Sequence, residues 1–159
     1  MSRVTAKGSG GLTDQFLGGE ERVGPSQIYI IQLQVVHPHC QVAGITAGLG
    51  IDPDEAFDVG HRMPPYGSGP AAGAYKNSVW YKNRRIEGQR HFSVEVFRLL
   101  EWLESKHPFV SELVDSGGTV SVNIQLGGAR NIGDTLPPAL LRRFAALNVS
   151  LGIEVFPVL

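Results

Sequence analysis

His37-Pro38-His39-Cys40 is the densest group of side chains able to do chemistry. Alternate residues of a strand share a face, so His37 and His39 could reach one ion. Zinc takes three or four such ligands, with Cys40 or the distant His61 as candidates to complete the set. No second ligand pair with zinc spacing exists. The competing reading is a polar strand end leading into a helix, with Cys40 as a small buried residue. That reading prevails: no cofactor is expected, and His37 and His39 remain weak metal candidates.

A second group is basic and aromatic. Lys76, Lys82, Arg84, Arg85 and Arg90 surround Tyr75, Trp80 and Tyr81, with Glu87 nearby. Cations interleaved with aromatics can grip phosphates and stack bases. They can equally be the solvated side of a hairpin whose Trp80 packs the core. A net charge of -1 argues against nucleic acid as the partner. The same residues suit an acidic protein surface. Asn123 and Gln125, on the polar side of a later strand, offer a further ligand surface. Trp80, Tyr81, Arg84, Arg85, Asn123 and Gln125 are therefore the candidate binding residues.

Two other features carry less. His91 titrates near neutral pH and could act as an acid or base. It opens a helix, where bonding backbone is the simpler role, and no Ser/His/Asp pattern accompanies it. Gly127-Gly128-Ala129-Arg130-Asn131 follows a strand and could bind an anion. It has neither the Walker lysine pattern nor the spaced dinucleotide glycines.

The elements that must position these groups follow from periodicity. The chain has 159 residues, 42% hydrophobic and 18% charged, which fits one domain with a real core. Residues 1–26 read as a glycine-rich flexible tail, vector-derived in part or an arm for a partner. Residues 27–159 read as a single domain. Tyr29, Ile31, Leu33 and Val35 fall on one strand face, opposite Ile30, Gln32 and Gln34. Val42 to Leu49 reads as a helix stopped near Gly48 or Gly50. Asp52-Pro53-Asp54 turns the chain, and Phe57 to Gly60 suggests a short strand. Pro64 to Ala74 is a Pro/Gly/Ala-rich loop. A strand from Ser78 to Tyr81 is expected to turn at Lys82 to Arg85.

His91 to Lys106 is the strongest helix, with Phe92, Val96, Leu99, Leu100 and Leu103 on one stripe and Arg98, Glu101 and Glu104 opposite. Pro108 opens a second short helix through Val114. Val120, Val122, Ile124 and Leu126 alternate with Ser121, Asn123 and Gln125, a half-buried strand. Thr135 is the expected N-cap of a last helix bearing Leu140, Leu141, Phe144 and Leu147. Leu151, Ile153 and Val155 form the last strand. Two tripeptides repeat: Ile-Gln-Leu at 31 and 124, and Leu-Gly-Ile at 49 and 151. The repeats suggest two strand–helix halves around one sheet. Helices on one face of a mostly antiparallel sheet bury every stripe. The expected class is α+β, close to a ferredoxin-like sandwich with additions.

This layout resembles an uncharacterised bacterial family, the domain of unknown function 4279. The likeness rests on the strand near Tyr29, the Leu49-Gly50-Ile51-Asp52-Pro53 turn and Ser78-Val79-Trp80. It continues through His91 opening the long helix and a final helix leading into Leu151-Gly152-Ile153. It covers about residues 27–156 and implies a small bacterial intracellular domain. It transfers no catalytic residue.

The sole cysteine, Cys40, excludes an intrachain disulfide and suits a reducing compartment. No apolar run spans a bilayer and no leader pattern is seen, so a cytoplasmic protein without a membrane partner is expected. Function is read as non-enzymatic recognition of a protein or small ligand, immunity- or antitoxin-like at this size. The alternatives are a small histidine-dependent enzyme or metal-dependent hydrolase using His37, His39, His61 or His91 with a carboxylate such as Asp58, and a phosphate- or nucleic-acid-binding module on the basic hairpin. An unpaired edge strand would admit a homodimer.

Overall fold

The computed structural model describes residues 28–63, 73–87, 91–127 and 133–156. The expected tail, most of the Pro64 to Ala74 loop, Arg90 and the Gly128 to Asn131 segment lie outside these residues. The elements run β1 (Ile28–His37), α1 (Val42–Leu49), β2 (Glu55–Phe57), β3 (Ser78–Glu87) and α2 (Phe92–Ser105). They continue with α3 (His107–Asp115), β4 (Thr119–Gly127), α4 (Pro138–Ala146) and β5 (Ser150–Phe156). The class is α+β, with one five-stranded sheet in the order β2-β3-β1-β4-β5.

β1 sits at the centre and pairs antiparallel with β3 along one side and with β4 along the other. Its alternation decides which side is buried. Tyr29, Ile31, Leu33 and Val35 join Trp80 and Ile86 of β3 and Val120, Val122, Ile124 and Leu126 of β4 in the core. The helices close over this side. Trp80 Nε1 donates to Thr46 Oγ1 on α1 at 3.1 Å. Tyr29 meets the Phe92 ring of α2 edge-on at 5.7 Å. Val110 and Leu113 of α3 and Leu140 and Phe144 of α4 complete the same cluster.

Several expectations are corrected. The sheet is mixed, not mostly antiparallel, because α4 carries the chain back to lay β5 parallel to β4. β3 does not turn at Lys82 to Arg85. It stays in register with all ten residues of β1, from His37↔Ser78 to Ile28↔Glu87, and those paired backbone groups leave no slack for a turn. The short strand is Glu55–Phe57, set beside β3 where Asp54 binds Lys82 Nζ and the Asn83 amide. Thr135 does not cap α4; Pro137 holds the N-cap position with Pro138 as the first helical residue. On β5, Ile153 and Val155 are exposed rather than buried, because the strand lies at the sheet edge.

The repeated tripeptides part company in three dimensions. Ile31 and Ile124 face each other across the β1–β4 ladder. Leu49-Gly50-Ile51, however, closes a helix, with Gly50 in the left-handed conformation (φ 74°), while Leu151-Gly152-Ile153 lies in a strand. The repeat therefore does not mark two equivalent halves.

Helix starts depend on distant partners. Neither Gln41 nor His91 caps its own helix with a side chain. Asp58 accepts from the Val42 amide at 2.7 Å, and Asp134 accepts from the Ser93 amide at 2.8 Å. Each carboxylate satisfies an orphan amide at the positive end of a helix.

The two sides of β3 predict opposite responses to substitution. Trp80→Ala is expected to lower unfolding free energy by about 3–5 kcal/mol. Tyr81→Phe, one residue away on the other side, should cost about 1 kcal/mol or less. Urea denaturation of both variants measures the difference.

Candidate functional site

The side of the sheet away from the helices carries a polar network. Gln32 and Gln34 of β1 lie between Tyr81 and Asn83 of β3 and Ser121 and Asn123 of β4. Gln32 Nε2 donates to Asn83 Oδ1 at 3.0 Å, and Gln34 Nε2 to the Tyr81 hydroxyl at 3.3 Å. Asn123 Nδ2 donates to Gln34 Oε1 at 2.9 Å and to Gln32 Oε1 at 3.3 Å. Ser121 Oγ also donates to Gln34 Oε1, at 3.3 Å. At the β5 edge, Gln125 Nε2 donates to Glu154 Oε2 at 3.1 Å. Gly152 makes room for this network: a methyl group there would collide with Asn123 Oδ1.

Gln32, Gln34, Asn123 and Gln125 are half-buried by their neighbours in the sheet, Asn83 is exposed, and no helix among the described residues lies over them. Their mutual bonds fix side-chain orientation, so a partner meets donors and acceptors already in place. Toward β2 the network gives way to aromatic surface. Phe57 stacks on Tyr75 at 4.7 Å, with the His61 ring 6.0 Å from Phe57. Burial holds the Tyr81 phenol above its ordinary pKa despite the bond from Gln34, so the hydroxyl is protonated at neutral pH.

The candidate binding residues divide between the two sides of the sheet. Tyr81, Arg85, Asn123 and Gln125 share the polar side by register. Trp80 is 0% exposed and belongs to the core, so it is unavailable as a contact residue. Arg84 points to the helix side. There it borders a cavity of about 370 Å³ whose lining includes Ile31, Leu33, Ile51, Leu99 and Trp102. Glu95 of α2 lines the same cavity and is 3% exposed. Its Oε1 accepts from Arg98 NH1 at 2.7 Å. Arg84 NH2 lies 3.0 Å from its Oε2, close enough for an ion pair. No described residue makes a hydrogen bond to Oε2.

His37 and His39 stand edge to face with ring centroids 6.4 Å apart, but His91 does not join them. His37 is buried at the end of β1, where Nδ1 accepts from the amides of His39 (3.0 Å) and Cys40 (2.7 Å). The ring proton therefore sits on Nε2, which donates to Ser116 Oγ at 2.9 Å. Ser116 Oγ in turn donates a hydrogen bond to the Glu112 carbonyl at 2.6 Å. Both ring nitrogens of His37 are thus committed, which removes it as a ligand for metal with His39. His91 stands at the start of α2, beside Phe92, which packs on Tyr29 at the other end of β1. Eight residues of strand make that separation about 26 Å. His91 Nδ1 lies 3.2 Å from Asp134 Oδ1. Burial opposes charge on Asp134, but bonds from Ser93, Thr135 and His91 outweigh it and hold the carboxyl below its ordinary pKa. Asp58, the carboxylate expected beside the histidines, is occupied in capping α1. No three His, Cys, Asp or Glu side chains among the described residues gather closely enough to hold a metal ion. No described helix is long and apolar enough to cross a membrane.

No protein-family model, curated protein or solved structure matches the chain.

Residues absent from the sequence-based site are as informative as those present. Gln32, Gln34, Asn83 and Ser121 form most of the polar network, and the alternation of the central strands was their signal. Glu95 lies three residues after Phe92, on the buried stripe of α2. An acid at an apolar position was the clue to the cavity.

The His37 chain predicts a pH response. Burial, with a smaller contribution from His39, lowers the His37 pKa in the folded protein. The unfolded chain takes up this proton near pH 6.5; the folded chain does so only at lower pH. The unfolded state binds more protons in that window, so stability is complete above it and falls as pH drops below about 6.5. The urea midpoint should decrease between about pH 7.5 and 5.5. His37→Asn should be less stable throughout but flatten the slope; an unchanged slope would assign the titration elsewhere.

Proposed function

We propose that this protein is a non-enzymatic interaction domain that recognises a protein partner through the polar side of its sheet. One observation carries the reading. All four described helices pack on one side, leaving a preorganised amide surface on the other. Such a surface supplies direction through many hydrogen bonds, with Phe57, Tyr75 and Tyr81 as aromatic contacts at its border. The histidine-based enzyme loses support because His37 is committed to two backbone amides and Ser116, His91 pairs with Asp134 at the other end of β1, and Asp58 caps α1. A nucleic-acid module loses support because Arg84 and Arg85 diverge across the strand. We place the protein in the bacterial cytoplasm, in an immunity- or antitoxin-like role, as its size and single cysteine suggest.

The fold assignment can be made finer on the same footing. Strands β1 to β4 follow the split βαβ pattern: β3 lies between β1 and β2, and β4 flanks β1. We therefore propose a ferredoxin-like unit extended by α4 and β5. Kinship with the domain of unknown function 4279 family is proposed on the turn at Leu49-Gly50-Ile51, the Ser78-Val79-Trp80 strand and His91. A family member with another strand order would remove that kinship.

The recognition reading is tested by affinity capture from bacterial cytosol with quantitative mass spectrometry. Asn83→Arg combined with Gln125→Arg should reduce capture of specific partners about tenfold or more. Arg84→Ala, on the helix side, should leave capture unchanged. Equal capture by the double variant and the parent protein, with both folded, contradicts the reading.

A further inference from the structure

We infer that the cavity between β3 and α2 binds an apolar carboxylate with a hydrogen-bond donor beside its head, as in a medium-chain hydroxy acid. This site lies on the helix side of the sheet and does not depend on the recognition surface. Its volume of about 370 Å³ falls within the range of small-molecule pockets. Ile31, Leu33, Ile51, Leu99 and Trp102 offer the apolar body a lining.

The charged groups at the cavity define the head. Lys82 is engaged by Asp54 at 2.8 Å, so that pair cancels. Arg84 and Arg98 share the single carboxylate of Glu95, which leaves one positive charge in excess. That balance suits a monoanion. Each guanidinium has five donors in a planar fork, and Glu95 occupies only part of each. The fork geometry matches a carboxylate. Glu95 also holds both guanidiniums at the cavity before a ligand arrives, which lowers the ordering cost of binding.

Glu95 Oε2 supplies the second requirement. It is buried and no described residue donates to it. Arg84 supplies this oxygen with an ion pair but no hydrogen bond, and a buried acceptor without one is costly. A hydroxyl adjacent to the ligand carboxylate can donate to Oε2 while the carboxylate engages the arginines. An unsubstituted fatty acid cannot.

Trp102 lines the cavity while Trp80 is sealed in the core, so fluorescence reports binding. Titration with 2-hydroxyoctanoate should give a saturable change that Trp102→Phe abolishes. The uncharged 1,2-octanediol should bind at least about tenfold more weakly, and octanoate about threefold more weakly. Arg84→Gln and Arg98→Gln should each weaken 2-hydroxyoctanoate about tenfold. Both arginines are more than half exposed, and thermal melting verifies that the variants are folded. The assignment is overturned by absence of saturation at millimolar concentration or by a signal that persists in Trp102→Phe. Affinities equal to those of the diol or octanoate, or unchanged in folded arginine variants, overturn it as well.

Discussion

Strand β1 carries partners on both edges but is covered on only one side, and the rest of the structure follows from that asymmetry. Its ten residues pair with β3 throughout and with β4 over nearly the same length. A slip of one residue would put Ile31, Leu33 and Val35 among the amides and Gln32 and Gln34 in the core. Burying each large aliphatic side chain contributes about 1.5–3 kcal/mol, and each misplaced amide would lose its partners. Register is therefore set strongly. That register fixes Trp80 beneath α1, Arg84 beside α2, and Tyr81 next to Gln34.

Polar groups on the covered side show how completely the core is organised. His37 is tolerated because two backbone amides and Ser116 use both of its nitrogens. Glu95 is the contrasting case. Its charge is paired by Arg84 and Arg98, yet one oxygen remains without a described donor. A fully satisfied histidine reads as architecture, whereas an incompletely satisfied carboxylate lining a cavity reads as a place for a ligand.

Much of the fold was legible because alternation and helical stripes report burial directly. α1 has the predicted bounds, and α2 falls within one residue of them. What was hidden depends on contacts distant in sequence. Lys82 to Arg85 looked like a turn because charged residues gathered there, but pairing with β1 keeps them extended. The caps of α1 and α2 come from Asp58 and Asp134, far from the helices they serve, so no local capping motif announces them. The site was legible in part. Asn123 and Gln125 were identified from their alternation, but the separation of Arg84 from Arg85 needed the phase of β3, which its charged sequence does not reveal.

The central claim is that one side of the sheet is sealed and the other is open. NMR with a soluble nitroxide measures this residue by residue. The side-chain amides of Gln32, Gln34 and Asn123 should broaden strongly, while the methyl groups of Val35, Val120, Val122 and Ile124, which do not line the cavity, remain sharp. Equal protection of the amides and the methyl groups would contradict the account, because the polar side would then be covered in the free protein.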